Sequence, residues 1–110
     1  MCIRDRLEVL ERGGAADQNE LMRRDQQIHR QIYRAARNSF LENTLERYFN
    51  LSLRLWYMVL DHGVRLREAV EEHIALLRSV LAGDGALAEE SMRRHVIGFE
   101  QEIRKVLVER

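Results

Sequence analysis

The chain has 110 residues, 45% of them hydrophobic and 33% charged, and its 18 basic and 18 acidic side chains cancel. That length holds one domain with a modest core, and the balanced charge argues against nucleic-acid binding through a broad basic face. No apolar run approaches the roughly 20 residues that span a bilayer, no signal-peptide pattern opens the chain, and the single cysteine, Cys2, excludes an internal disulfide framework, so the reading is of a cytoplasmic protein with no membrane partner.

The chain contains no proline, and its six glycines fall almost entirely between periodic segments, which predicts an all-α antiparallel helical bundle. Residues 1–6, MCIRDR, read as the translation of a sequencing adapter. On that reading residues 7–110 are the domain, and the natural chain starts further upstream. A short helix is expected over 3–11, stopping at Gly13-Gly14. A second runs over 17–37 with Leu21, Asp25, Ile28, His29, Ile32 and Ala36 on one face.

Ser39 and Glu42 have the spacing of a capping box that opens a third helix, reaching to about 61. That helix is apolar over a wide arc (Leu41, Leu45, Tyr48, Phe49, Leu55, Trp56, Val59, Leu60), which predicts a central element contacted on two sides. His62-Gly63 marks a break, with His62 read as a cap or solvent residue. The fourth helix, 64–82, aligns Leu66, Val70, His73, Leu77 and Val80. Gly83 suits a helix C-terminus and Asp84 an N-cap for the fifth helix, 85–108, which aligns Ala88, Met92, His95, Val96, Phe99, Ile103 and Val106.

Asp25, His29, His73 and His95 all fall on these inward stripes, where an ionisable side chain is costly unless paired or metal-bound. Any one of them alone reads as a core histidine bonded to a carbonyl, or as an aspartate paired with an arginine. Together they lie on three helices whose stripes an antiparallel bundle can bring to one level. One carboxylate and three imidazoles suit a divalent ion such as Zn or Ni. On an octahedral ion four such ligands leave two positions open; on a tetrahedral ion they leave none. Arg54 and Arg47 are candidates to clamp a carboxylate, against the plainer reading of solvent-facing arginines. Trp56, Tyr57 and Phe49 read as core first and pocket wall second, and Glu71-Glu72 and Glu89-Glu90 as solvated faces. No nucleophile elbow, phosphate-cradling glycine loop or HExxH helix is present.

The segment Glu72 to His95, EHIALLRSVLAGDGALAEESMRRH, resembles the last two helices of the FCD domain, the FadR C-terminal-like effector domain of GntR-type transcription regulators. Glu72-His73, Gly83-Asp84, Ala88, Met92 and His95 stand in the family register. DQQIHRQIYRAARN, Asp25 to Asn38, is similar to the family's Asp-x-x-hydrophobic-His helix, with Ile28 where Phe is frequent. The resemblance covers about residues 16–108. It implies a bundle of six or seven helices, of which about five are present here, with a metal at the floor of an effector pocket. It carries the ligand roles onto Asp25, His29, His73 and His95, and it implies a small carboxylic-acid effector, which Arg54 is a candidate to contact. Further implications are a homodimer and operator DNA read by an N-terminal winged helix-turn-helix absent from this sequence, hence a regulator rather than an enzyme. The competing readings are a helical-bundle metalloenzyme using the Asp/His3 site, which needs a general base beside an open position, and a structural helical module with incidental histidines.

Overall fold

A computed structural model describes residues 2–12, 18–59 and 66–108. Within them the chain forms α1 (Ile3–Arg12), α2 (Gln18–Ala35), α3 (Ser39–Val59), α4 (Leu66–Leu81) and α5 (Gly85–Val108). This is the expected all-α antiparallel bundle, with boundaries within two residues of the periodicity wherever both ends are described. Gly13-Gly14, Leu60, Asp61 and His62-Gly63 lie outside the described residues, as do the side chains of Val59 and Leu66. No helix among the described residues is long and apolar enough to cross a membrane.

Short connections make α2–α3 and α4–α5 hairpins. At the α4–α5 turn, Gly83 takes φ +73°, Gly83 N–H donates to Val80 O and Asp84 N–H donates to Ser79 O, the paired bonds of a Schellman end. Asp84 Oδ1 then accepts from Leu87 N–H at 3.0 Å and caps α5, so one residue ends one helix and starts the next. The α3 start corrects the capping-box reading. Asn38 Oδ1, one residue earlier, accepts the Leu41 N–H at 3.0 Å. The Glu42 carboxylate faces Arg34 across the turn at 3.6 Å instead. The α2 end is closed by Arg37 at φ +52°, a left-handed conformation in a non-glycine residue.

The core divides into two clusters. Met22, Phe49, Leu53, Trp56 and Ile103 join α2, α3 and α5, with Tyr33, Phe99 and Val106 against them. Leu7, Leu10, Ile28 and Leu77 join α1, α2 and α4, with Ile3, Ile32, Val70 and Ile74 against them. Met22, not its neighbour Leu21, is the deeply buried residue in the first turns of α2. Residues 3–6 form the first turn of α1, and the Arg6 guanidinium donates to Gln27 and Gln31 of α2.

The expectation that α3 is central is corrected. α4 packs against α1, α2 and α5, whereas α3 touches α2 and α5 along one stripe, Phe49, Leu53 and Trp56. On the rest of its described apolar surface Leu45 is half-buried, and Leu41, Tyr48, Leu51, Leu55 and Met58 are exposed.

Candidate metal centre

α2 presents Asp25 and His29 one turn apart on its inward face, α4 presents His73, and α5 presents His95. The rings of His29, His73 and His95 are buried, and His73 is 1% exposed. One ligand atom from each of the four residues lies within 4.8 Å of every other. His73 Nε2 is the hub: it sits 3.0 Å from His95 Nε2, 3.2 Å from His29 Nε2 and 3.2 Å from Asp25 Oδ1. Asp25 Oδ1 is also 3.5 Å from His29 Nε2. Phe49 of α3 stacks on the His29 ring with centroids 4.6 Å apart, fixing its plane.

Proton arithmetic tests whether these residues fit a metal. A neutral imidazole carries one proton and offers one lone pair, so His73 Nε2 can make only one of its three close contacts as a hydrogen bond. A cation at the convergence point satisfies all of them, because each Nε2 and Asp25 Oδ1 then directs a lone pair at it. The protons must in that case sit on Nδ1, and the outer partners suit that tautomer. His95 Nδ1 faces Glu72 Oε2 at 3.2 Å, and His29 Nδ1 faces the Tyr33 hydroxyl at 3.3 Å. His73 Nδ1 is buried without a hydrogen-bond partner among the described residues. Two atoms each about 2.1 Å from one ion sit about 3.0–3.4 Å apart at octahedral or tetrahedral angles. The four contacts given above span 3.0–3.5 Å. The donor set fits a divalent ion.

The electrostatics agree. Burial pushes the His73 imidazole down to about 3, with Asp25 opposing the fall and His95 and His29 adding to it, so the ring is neutral and ready to ligate at neutral pH. His95 is likewise lowered, by burial and His29, against the pull of Asp25 and Glu72. Burial pushes the Asp25 carboxyl up, but the His29 hydrogen bond and the surrounding rings outweigh it and hold the group below its ordinary value. Tyr33 is pushed up to about 12 by burial and by Asp25 and Glu46, so its hydroxyl keeps its proton.

Two cavities meet at the His95 ring. One, of about 220 Å³, is lined by Asp25, His29 and Tyr33 on one side and by apolar groups including Phe49, Trp56 and Phe99 on the other. The second, of about 200 Å³, is acidic, with Glu68, Glu72 and Glu102 on its walls. Trp56 and Phe49 are therefore both core and wall, whereas Tyr57 is exposed. Arg54 and Arg47 are exposed, and neither lines either of these two cavities.

Asp25, His29, His73 and His95 thus come together, and Arg54 and Arg47 do not join them. Sequence reasoning passed over Tyr33 and placed Glu72 on a solvated face. Tyr33 was legible, since it stands one turn after His29. Glu72 bonds across to another helix, and spacing within α4 carries no trace of that.

No curated protein and no solved structure gives a significant match to the chain. The FCD domain family matches it over residues 3–98. With that match spanning most of the sequence, and the helical fold and the Asp/His3 cluster already in place, the chain belongs to the FCD domain family.

Proposed function

We propose that this chain is the metal-containing, effector-sensing domain of a GntR-type transcription regulator, and that its effector is a small carboxylic acid. FCD domains are effector-binding regulatory domains of such regulators. The observation that carries the reading is the convergence of Asp25, His29, His73 and His95, three of which, Asp25, His29 and His95, line a 220 Å³ cavity. An octahedral divalent ion held by these residues would supply what the described cavity wall lacks, a positive centre with room for an anionic oxygen.

The protein's own residues do the rest. Asp25 and His29 tie the centre to α2, His73 to α4 and His95 to α5, while Phe49 and Trp56 bring α3 to the same cavity. An acid in that cavity therefore contacts α2, α3 and α5 at once. In the intact regulator, a homodimer whose winged helix-turn-helix domains read operator DNA, a change in how α3 seats on the bundle alters the spacing of the two DNA-binding heads. Coupling of this kind is typically worth about 1–3 kcal/mol and is reciprocal.

The test has two steps. Purified chain should carry about one divalent ion, and a His73→Ala/His95→Ala double variant should lose it, since half the ligand set is gone. Calorimetric titration of organic acids into metal-loaded and metal-stripped protein should show binding that weakens without the ion. Equal metal content in the two proteins, or equal acid affinity in the two forms, overturns the reading.

A further inference from the structure

The walls of the 220 Å³ cavity say which acids it admits. Among the described residues, no arginine or lysine lines it. Apart from the metal ligands, the polar groups on its described lining residues are the hydroxyls of Tyr33, Tyr48 and Ser52 and the indole N–H of Trp56. Ser52 Oγ donates to Tyr48 O at 3.0 Å within α3, and Tyr48 is 63% exposed at the rim. The remaining described wall is apolar: Leu45, Phe49, Val96, Phe99 and the carbon face of the Trp56 ring. A second carboxylate, or a run of sugar hydroxyls, seated against these walls loses its water without gaining partners. The neighbouring cavity, beyond His95, carries three glutamates and repels anions.

Tyr33 has a defined role in this arrangement. When His29 ligates through Nε2, its Nδ1 carries the proton and donates it to the Tyr33 oxygen, 3.3 Å away. The tyrosine's own proton is then left for another acceptor, and Tyr33 lines the cavity.

We infer that the cavity selects a small monocarboxylate with an apolar body, whose carboxylate is held at the metal centre and accepts a hydrogen bond from the Tyr33 hydroxyl. The size agrees, since 220 Å³ lies below the roughly 300–1,000 Å³ of pockets for drug-sized ligands and suits an acid of a few carbons. Tyr33 serves a double purpose on this view: it orients His29 from behind and recognises the effector from the front. The inference rests on the metal-and-acid reading proposed above and narrows it to one ligand class.

The experiment is calorimetric titration of the 110-residue chain loaded with nickel, whose octahedral shell keeps two positions open beside four protein ligands, with propionate, butyrate, isovalerate, succinate and gluconate, repeated with Tyr33→Phe. Affinity should rise along the monocarboxylates by up to about fourfold per methylene buried. Isovalerate should bind at least about tenfold more tightly than succinate or gluconate, whose extra polar groups stay unpaired. Tyr33→Phe keeps the ring and removes the donor. Titrated at saturating nickel, so that any loss of metal affinity from the missing His29 partner is masked, it should weaken isovalerate by about tenfold, the loss of one hydrogen bond to a charged group, with helicity unchanged. Succinate or gluconate binding as tightly as isovalerate overturns the selectivity while leaving acid sensing intact. An unchanged isovalerate affinity in Tyr33→Phe overturns the role given to the hydroxyl. If none of the acids binds the nickel-loaded chain, the effector reading itself falls, and the selectivity with it.

Discussion

Three imidazoles and a carboxylate inside a 110-residue bundle are expensive, and the cost is visible in His73. Its pKa is held near 3 by burial, so the folded chain refuses a proton that the unfolded chain accepts near the ordinary value of 6.5. A lowered histidine favours the folded state fully above the unfolded pKa and progressively less as pH falls below it. The metal-free chain should therefore lose stability from about pH 6.5 down towards pH 3. His95, shifted the same way, adds to the slope. Urea melts of chelated protein at a series of pH values measure this; a His73→Leu variant should show a shallower decline. Stability that stayed level across the window would mean that the rings are solvated in the metal-free state.

The connection between α4 and α5 rests on two neighbouring residues with different duties. Gly83 adopts φ +73°, which a side chain resists, and Asp84 supplies the cap of α5. Asp84→Ala should cost about 1 kcal/mol through the lost cap. Gly83→Ala should cost about 1–2 kcal/mol through left-handed strain. Both are read as shifts of the denaturation midpoint at constant m-value. Arg37 at the end of α2 pays the same strain without glycine, so Arg37→Gly should stabilise.

α3 poses a different problem, because it carries two apolar faces. Phe49, Leu53 and Trp56 are buried, while Leu41, Tyr48, Leu51, Leu55 and Met58 repeat at helical spacing on the adjacent face and are exposed. A continuous apolar face of that kind promotes association. The chain should therefore self-associate with rising concentration in sedimentation velocity runs. Leu51→Glu together with Leu55→Glu should shift it towards monomer, and an unchanged sedimentation profile would show that this face is not what associates.

At the level of the whole molecule, a divalent ion held by Asp25, His29, His73 and His95 would cross-link helices that contribute to separate cores. One cluster joins α1, α2 and α4, and the other joins α2, α3 and α5. The ligands on α2, α4 and α5 span both. An ion that binds only the folded chain stabilises it by mass action, by about 2.7 kcal/mol at a free concentration one hundred times Kd. For a domain of this size each kcal/mol moves Tm by roughly 4–8 °C. Adding chelator should thus lower Tm by more than 10 °C from the zinc-loaded value, as followed by circular dichroism at 222 nm. An indifferent Tm would mean that the four side chains do not share an ion.

The helices, their order and most of their ends were legible from periodicity and turn chemistry, because α-helical burial repeats every 3.6 residues and Gly83-Asp84 has no good alternative to a turn. Asp25, His29, His73 and His95 were legible for the same reason: a titratable group on an apolar stripe is conspicuous. Tertiary structure alone decided how those stripes meet. It bonded Glu72 to a histidine on another helix, made α4 rather than α3 the central helix, left Arg54 outside, and seated Asn38 rather than Ser39 as a cap. It also separated an acidic cavity from an apolar one at the His95 ring. Periodicity reports which face of a helix is apolar and is silent about what that face meets. Contacts between helices depend on crossing angle and axial offset, and those are set by side-chain packing across the whole bundle.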